Sequence, residues 1–558
     1  MKRYSFFIVC TGALFLILSL PACFDSSKKQ PAPFVKLPDY QKVIDSLSRE
    51  NISIQKSVRT SGEVSEVIID EPNWKSELAL FLELDFNTSG NKDNYKIEDK
   101  KGTLVNLFQR SYTALKEGQK VKKAIVLYRD DKLICAEYFI QKNDYPYSME
   151  KKLTFYPSRG FRASWIQKLD GLIDEEVDVE VRWIQDTVLQ VWNFDAKTEF
   201  TPIRVNTSKQ GSNEILTFTQ GDEQIAVLAE STANGSMVAT LPVFQSTLTY
   251  MHEGMQTKGI FRDEYRGENY QVFFSGYPAK INFMDLSASG IEGRWDVEII
   301  RGEERSRAIG LFEQFGKRVY GTFLTKTGDY RFLEGELVGD SFYVSGFDGR
   351  HLYRFTGILK GDSIVRGSYA SGNHFLAEWV AKRNDGAQLE DPTSLTQHQG
   401  HQISFSLEGV DGKTYTLQDE RFQNKVILLQ IMGSWCPNCM DESMYFREIY
   451  PEFHDQGLEI IALGFEHRAK SEASLKKLRK ASDDLELPYP VLFAGSTKEV
   501  KEVLPQIENF MSFPTTIFID RKGKIRRIHT GFSGPSTGKF YAEYKEDTES
   551  FIRELLSE

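Results

Sequence analysis

The stretch GSWCPNCMDE, residues 433–442, holds Cys436 and Cys439, two of the five cysteines in a chain of 558 residues. Two thiols three residues apart reach bonding distance on one helical turn. The flanking pattern supplies that turn. KVILLQIMG is a continuous apolar run of the kind a buried parallel strand shows, and PNCMDESMYFREIYPEFHDQG has a helical pattern ending at Gly457. A C-x-x-C at a strand-to-helix junction is a redox arrangement. Cys436 falls at the helix N-terminus, where unpaired amides and the macrodipole favour thiolate over thiol. Pro437 suits the first helical position, because its missing N–H would be unpaired there anyway. In the expected cycle Cys436 attacks a substrate disulfide, a mixed disulfide forms, and the more buried Cys439 resolves it. A purely structural bridge would close too short a loop to stabilise much. Zinc would need two further ligands. The eight histidines are dispersed, and the closest pair, His398 and His401, lies in a linker. No metal and no cofactor enter this reading.

The chain begins MKRYSFFIVCTGALFLILSLPAC. Lys2 and Arg3 precede an apolar run from Phe6 to Leu20, the layout of an export signal. The run is shorter than the ~20 residues a membrane span needs. If the signal is removed with Cys10, the exported chain keeps too few cysteines for a disulfide framework. Cys135, in the strand-like KLICAEYFI, reads as a buried inert thiol. A net charge of -10 and the lack of a basic stripe with interleaved aromatics argue against nucleic-acid binding.

The length implies several domains. After a signal at 1–22, residues 23–61 are expected to form a polar tether with a short helix in DYQKVIDSLSREN. Residues 62–185 read as an α+β domain: Trp74, Leu78, Phe81 and Leu82 share a helical face, and two hairpins follow, in VKKAIVLYRDDKLICAEYFIQ and KKLTFYPSRGFRASWIQ. Residues 186–383 read as an antiparallel β-rich domain, sandwich or barrel-like. Its GELVGDS at Gly335 recurs as GILKGDS at Gly357, and its aromatics are assigned to core packing. A linker at 384–401 leads to 402–558, where strands and helices alternate before a late hairpin in TTIFIDRKGKIRRIH. The expected class is therefore multidomain, with a C-terminal α/β unit.

Two resemblances sharpen the picture. Leu20-Pro21-Ala22 before Cys23 resembles a bacterial lipoprotein box, which implies cleavage before Cys23 and lipidation of its thiol. Residues 402–558, with SWCPNC after a buried strand and FPTTIFIDRKGKI some seventy residues later, resemble the thioredoxin fold of the TlpA-like thiol-disulfide oxidoreductases. That likeness implies a cis Pro514, with the backbone of Phe513 beside the sulfurs to receive substrate as an added strand. It implies that Trp435 covers the site, and that Glu442, one turn past Cys439, serves as proton relay. Gln430 stands where thioredoxin has a buried aspartate and cannot titrate. Ser443-Met444 departs from the family's hydrophobic-Pro pair. Glu466 and His467 end a strand, with His467 expected on a surface loop. A peroxidase is rejected, since Leu429 and Gly433 replace the proline and threonine that chemistry uses.

The resemblance implies a lipid-anchored, periplasm-facing oxidoreductase that reduces disulfides of exported proteins and draws electrons from a membrane thiol protein. Phe24 after Cys23 lacks the aspartate of the inner-membrane retention signal, which tilts the expectation to the outer membrane. An oxidase or isomerase is the alternative, as is a binding lipoprotein whose redox domain is accessory.

Overall fold

Nine antiparallel strands, with one face covered by helices, open the described part of the chain. The computed structural model describes residues 37–558 apart from Asn51, Ser61, 85–91, 170–172, Asp186, 197–198, Gln245, Glu268, 280–289 and His401. The expected export signal, Cys23 and the start of the expected tether lie outside the described residues. The short helix expected in the tether forms, but from Tyr40 onward the segment packs into the first folded unit instead of hanging free. Tyr40–Leu47 is a helix, and Ser53–Thr60 is a strand paired with both Glu63–Ile69 and Ile173–Ile184. The helix buries Tyr40, Ile44 and Leu47, and Tyr40 packs on Phe81 and Phe155 with ring centroids 4.9 and 5.3 Å apart. The helix is as expected; what the local sequence does not show is that its buried stripe docks on Phe81 and Phe155.

The expected helix around Trp74 is two short helices, Trp74–Glu77 and Ala79–Leu82, which bury Trp74, Leu78 and Phe81. Both hairpins form as expected. Strands Val121–Arg129 and Lys132–Asp144 are joined by Asp130 and Asp131, at φ 48 and 59°. Aspartate tolerates the left-handed region that a two-residue hairpin turn demands.

The β-rich stretch that follows holds two closed sheets. Strands between Thr187 and Pro278 form a barrel of eight. Its interior is filled by Trp192, Phe194, Phe218, Tyr250, Phe261 and Phe274, with Trp192 stacked on Phe274 at 4.6 Å. In the second, strand Arg318–Thr325 pairs with both Glu304–Phe315 and Leu333–Val338, which closes the ring. Trp295, Phe323, Phe355 and Trp379 fill it. The repeated Gly-Asp pairs are its two-residue turns, with Gly339 and Gly361 at φ 64 and 58°.

The α/β unit has a mixed sheet. Val426–Met432, Leu458–Glu466 and Val491–Ser496 run parallel, while Thr515–Ile519 and Ile525–Thr530 add antiparallel on the other side of Val426–Met432. The first two strands are buried at every position, as a sheet covered on both faces requires. Strand parity then assigns sides. Ile427, Leu429 and Ile431 join the cluster on one face, whereas Val426, Leu428 and Met432 pack with Phe446 and Phe453 of helix Pro437–His454. Gln430 falls on the helix side. Among the described residues no helix is long and apolar enough to cross a membrane.

Cys135 belongs to a different core from the dithiol, fully buried among Leu107, Ile125, Leu127, Phe315 and Tyr320. Burial raises its pKa strongly. We expect it to stay unmodified by iodoacetamide in the native protein and to react only after unfolding, read by mass spectrometry. Alkylation at the rate of an exposed thiol would contradict its place in this core.

Candidate active site

The turn that presents the thiols begins at Gly433. A Cβ there would stand 2.3 Å from the Trp435 indole nitrogen and 2.7 Å from the Phe465 carbonyl, so only glycine lets the chain pass. Cys436 N–H donates to the Gly433 carbonyl at 3.0 Å, and Cys436 then caps helix Pro437–His454 with Pro437 in its first turn. The Cys439 backbone N–H donates to Cys436 Sγ at 3.2 Å. A sulfur that caps a helix sits against the unpaired amides and the positive end of the dipole, the setting that stabilises thiolate. The two cysteines are joined as a disulfide with Cα atoms 5.3 Å apart. Cys436 is 5% exposed and Cys439 is fully buried.

Beneath the disulfide lies a polar nest. Gln430 and Thr516 are paired in register on adjacent strands, which puts both under the helix. Glu442 Oε2 accepts from Gln430 Nε2 at 2.9 Å. Its Oε1 accepts from Thr516 Oγ1 and from the Tyr544 hydroxyl, each at 3.0 Å. Gln430 Nε2 also lies 3.4 Å from the Cys439 carbonyl, and its Oε1 accepts from Ser443 Oγ at 3.0 Å. Glu442 is fully buried. Burial pushes its carboxyl up to about 7, against the pull of its three donors.

The rim is aromatic and main-chain. The Phe513–Pro514 peptide is cis, and the Phe513 carbonyl oxygen lies 3.7 Å from Cys436 Sγ. Trp435 donates from its indole to the Phe465 carbonyl at 2.9 Å, meets Phe513 edge-on at 5.3 Å and stacks on His467 at 4.4 Å. Thus His467, exposed as a loop residue is, still touches the site's cover.

Residues 399–542 match the Redoxin family model. The thioredoxin-like protein YneN of Bacillus subtilis is 33% identical over 127 residues, 23% of this chain and 68% of that protein. The chain belongs to the thioredoxin-like thiol-disulfide oxidoreductases. The thiol-disulfide oxidoreductase ResA of Bacillus thuringiensis is 30% identical over 122 residues, 22% of this chain and 63% of that protein. The chain thus spans about two thirds of the length of these relatives, which match its C-terminal part alone. Among solved structures it is also similar to a thiol:disulfide interchange protein from Chlorobium tepidum, at 19% identity over 30% of this chain and 99% of that one, with a TM-score of 0.23.

This oxidoreductase's CxxC turn is also held by its upstream barrels, which sequence reasoning missed. Arg350 donates to the Trp435 carbonyl and to Asp263, and lies over the Tyr265 ring, whose hydroxyl meets Ser434 Oγ at 2.6 Å. On the opposite side the Asn438 amide packs on the backbone of Gly328, where a Cβ would stand 1.9 Å from its nitrogen. Arg331 pairs with Asp441 at 2.9 Å and with Glu223. Burial and the carboxylates of Glu223, Asp329 and Asp348 push Asp441 up to about 8, against the attraction of Arg331. None of these barrel residues sits in a local motif, so no short-range signal points to them. Of the expected site residues, Cys436, Cys439, Glu442, Trp435, Phe513 and Pro514 come together. Cys23 is outside the described residues.

The Glu442 carboxyl also predicts a pH effect. Its native pKa rises from 4.5 to about 7, so between those values the folded protein holds a proton that the unfolded chain has released. Stability therefore falls as pH rises through that window. Glu442→Gln should make the fall shallower between pH 5 and 7, measured by denaturant unfolding of the oxidised protein at each pH. Parallel curves for the two proteins would show that Glu442 ionises as an ordinary carboxyl.

Proposed function

We propose that the protein is a lipid-anchored periplasmic reductase of disulfides in exported proteins, tethered through Cys23 and recharged by a membrane thiol donor. The observation that carries the exchange chemistry is the Cys436 sulfur at the helix N-terminus, beside the main chain of Phe513. The export signal and the lipoprotein-like box at Leu20–Cys23 support the location.

In the reduced enzyme the Cys436 thiolate attacks one sulfur of a substrate disulfide. That S–S bond breaks, the departing substrate thiolate takes up a proton, and a Cys436–substrate disulfide forms. The substrate backbone pairs beside Phe513 and Pro514, under the cover of Trp435. Cys439 then gives up its proton and attacks Cys436 Sγ, which frees the second substrate thiolate and leaves the Cys436–Cys439 disulfide. Substrate gains two electrons and two protons, and an external dithiol restores the pair. Glu442 is assigned as the buried acceptor of the Cys439 proton, since its carboxyl titrates near neutrality and its Gln430 neighbour cannot. Gln430 bridges the Glu442 carboxylate and the Cys439 carbonyl, and so positions the relay. The direction is assigned from the dipeptide between the thiols. Pro437 and Asn438 bring no charge or imidazole to the Cys436 thiolate, so the pair lacks the feature that makes a strongly oxidising dithiol.

Cys439→Ser removes the resolving thiol and should strand Cys436 in mixed disulfides. Cells carrying this variant are expected to accumulate covalent adducts with exported cysteine proteins, released by reductant and absent in a Cys436→Ser partner variant. If no adducts accumulate while the separately captured partners bind non-covalently, the redox domain is an accessory to binding and the proposal fails.

A further inference from the structure

A cavity of about 210 Å³ opens where the N-terminal sheet meets both barrels, well removed in sequence from the dithiol domain. Its lining includes four arginines, Arg129 and Arg159 from the sheet, Arg204 from the first barrel and Arg318 from the second, with Glu334 as the lining carboxylate. The charges around it do not balance. Arg318 and Arg204 share Glu334, the latter at 3.3 Å, and Arg204 reaches Glu336 only at 3.8 Å. Arg129 reaches Asp222 only at 3.8 Å, and Asp222 already accepts from the Asn106 N–H at 2.6 Å. Arg159 has neither an ion pair nor a side-chain hydrogen bond among the described residues, although it stands in the turn between strands Tyr147–Tyr156 and Gly160–Leu169 and lines the cavity. Within ion-pair reach, three carboxylates thus serve Arg129, Arg204 and Arg318, and none reaches the half-buried Arg159. Proteins rarely leave such a charge without a partner. Burial and the neighbouring Arg318 lower the Arg159 pKa, and Glu334, already shared by Arg318 and Arg204, only partly offsets them.

Leu107, Leu127 and Leu189 give the cavity an apolar wall, beside the polar side chains of Ser158, Asn206 and Thr219. We propose that this cavity is a binding site for a small organic anion, its carboxylate or phosphate gripped by Arg159 and Arg318 and its apolar body seated on the leucines. Guanidinium forks suit both head groups because each N–H pair meets two oxygens. The size agrees with such a ligand. A dry cavity of about 150 Å³ holds benzene, so this one accommodates a ring with a charged substituent. A ligand here would touch all three upstream units at once.

The test is calorimetric titration of the intact protein with phenyl phosphate, benzoate, benzyl alcohol and inorganic phosphate. Phenyl phosphate or benzoate should bind once per chain, more weakly as salt is added. Benzyl alcohol and inorganic phosphate should bind at least about tenfold more weakly than the better organic anion. Arg159→Gln should weaken that anion by a similar factor while thiol-disulfide exchange at Cys436 stays at the parent rate. Absence of saturable binding by either organic anion overturns the proposal, as does equal affinity for benzyl alcohol. Unchanged affinity in Arg159→Gln does the same. Inorganic phosphate binding as tightly as phenyl phosphate would overturn the apolar part of the assignment.

Discussion

The backbone N–H of Cys439 pointing at the sulfur of Cys436 is the contact on which the rest of this protein's chemistry depends. It makes Cys436 the cap of an 18-residue helix, so the group that must become an anion sits where the helix supplies positive potential. The same turn carries Cys439 inward by one helical step, into full burial. One local geometry therefore separates two chemically identical thiols. The strand before the turn makes that geometry obligatory. Its residues are buried on both faces, Gly433 admits no side chain, and Pro437 accepts the first helical position without losing a hydrogen bond.

Placing a carboxyl beneath such a site is costly, and the fold offsets the cost in a specific way. Glu442 is fully buried and accepts from Gln430, Thr516 and Tyr544, one donor from each of two strands and one from the C-terminal helix. Three donors favour the charged form, burial opposes it, and the balance falls near neutrality. A relay between a thiol and water needs a group that holds and releases a proton at the working pH. Next to it in sequence, Asp441 turns the other way and meets Arg331 of the second barrel. Consecutive carboxyls on one helix thus serve the interior of the redox domain and its junction with the barrels.

Much of the dithiol domain is legible in its sequence because its signals are local. The C-x-x-C, the apolar strand before it, the Phe513-Pro514 pair and the late hairpin each occupy a few adjacent residues. The hairpin turns at Asp130-Asp131 and at the Gly-Asp pairs are legible for the same reason. What escapes is set by distance along the chain. Closure of the second barrel rests on one strand, Arg318–Thr325, taking two partners, and strand patterning cannot announce that. Tyr544 reaches Glu442 from 102 residues away, and Arg350 reaches Trp435 from 85. The helix Tyr40–Leu47 is legible in its own residues, but its docking is not, since Phe81 and Phe155, the rings that cover Tyr40, lie far along the chain.

The account stands on Cys436 being the activated thiol and Cys439 the shielded one. The most direct measurement is the pH dependence of alkylation of the reduced protein by iodoacetamide, with each cysteine followed separately by mass spectrometry. Cys436 should react with a midpoint at least one unit below the value of about 8.5 for a free cysteine, and Cys439 should remain unmodified over the same range. A Cys436 midpoint at or above that value, or alkylation of Cys439 first, would contradict the assignment of the helix N-terminus as the source of the nucleophile.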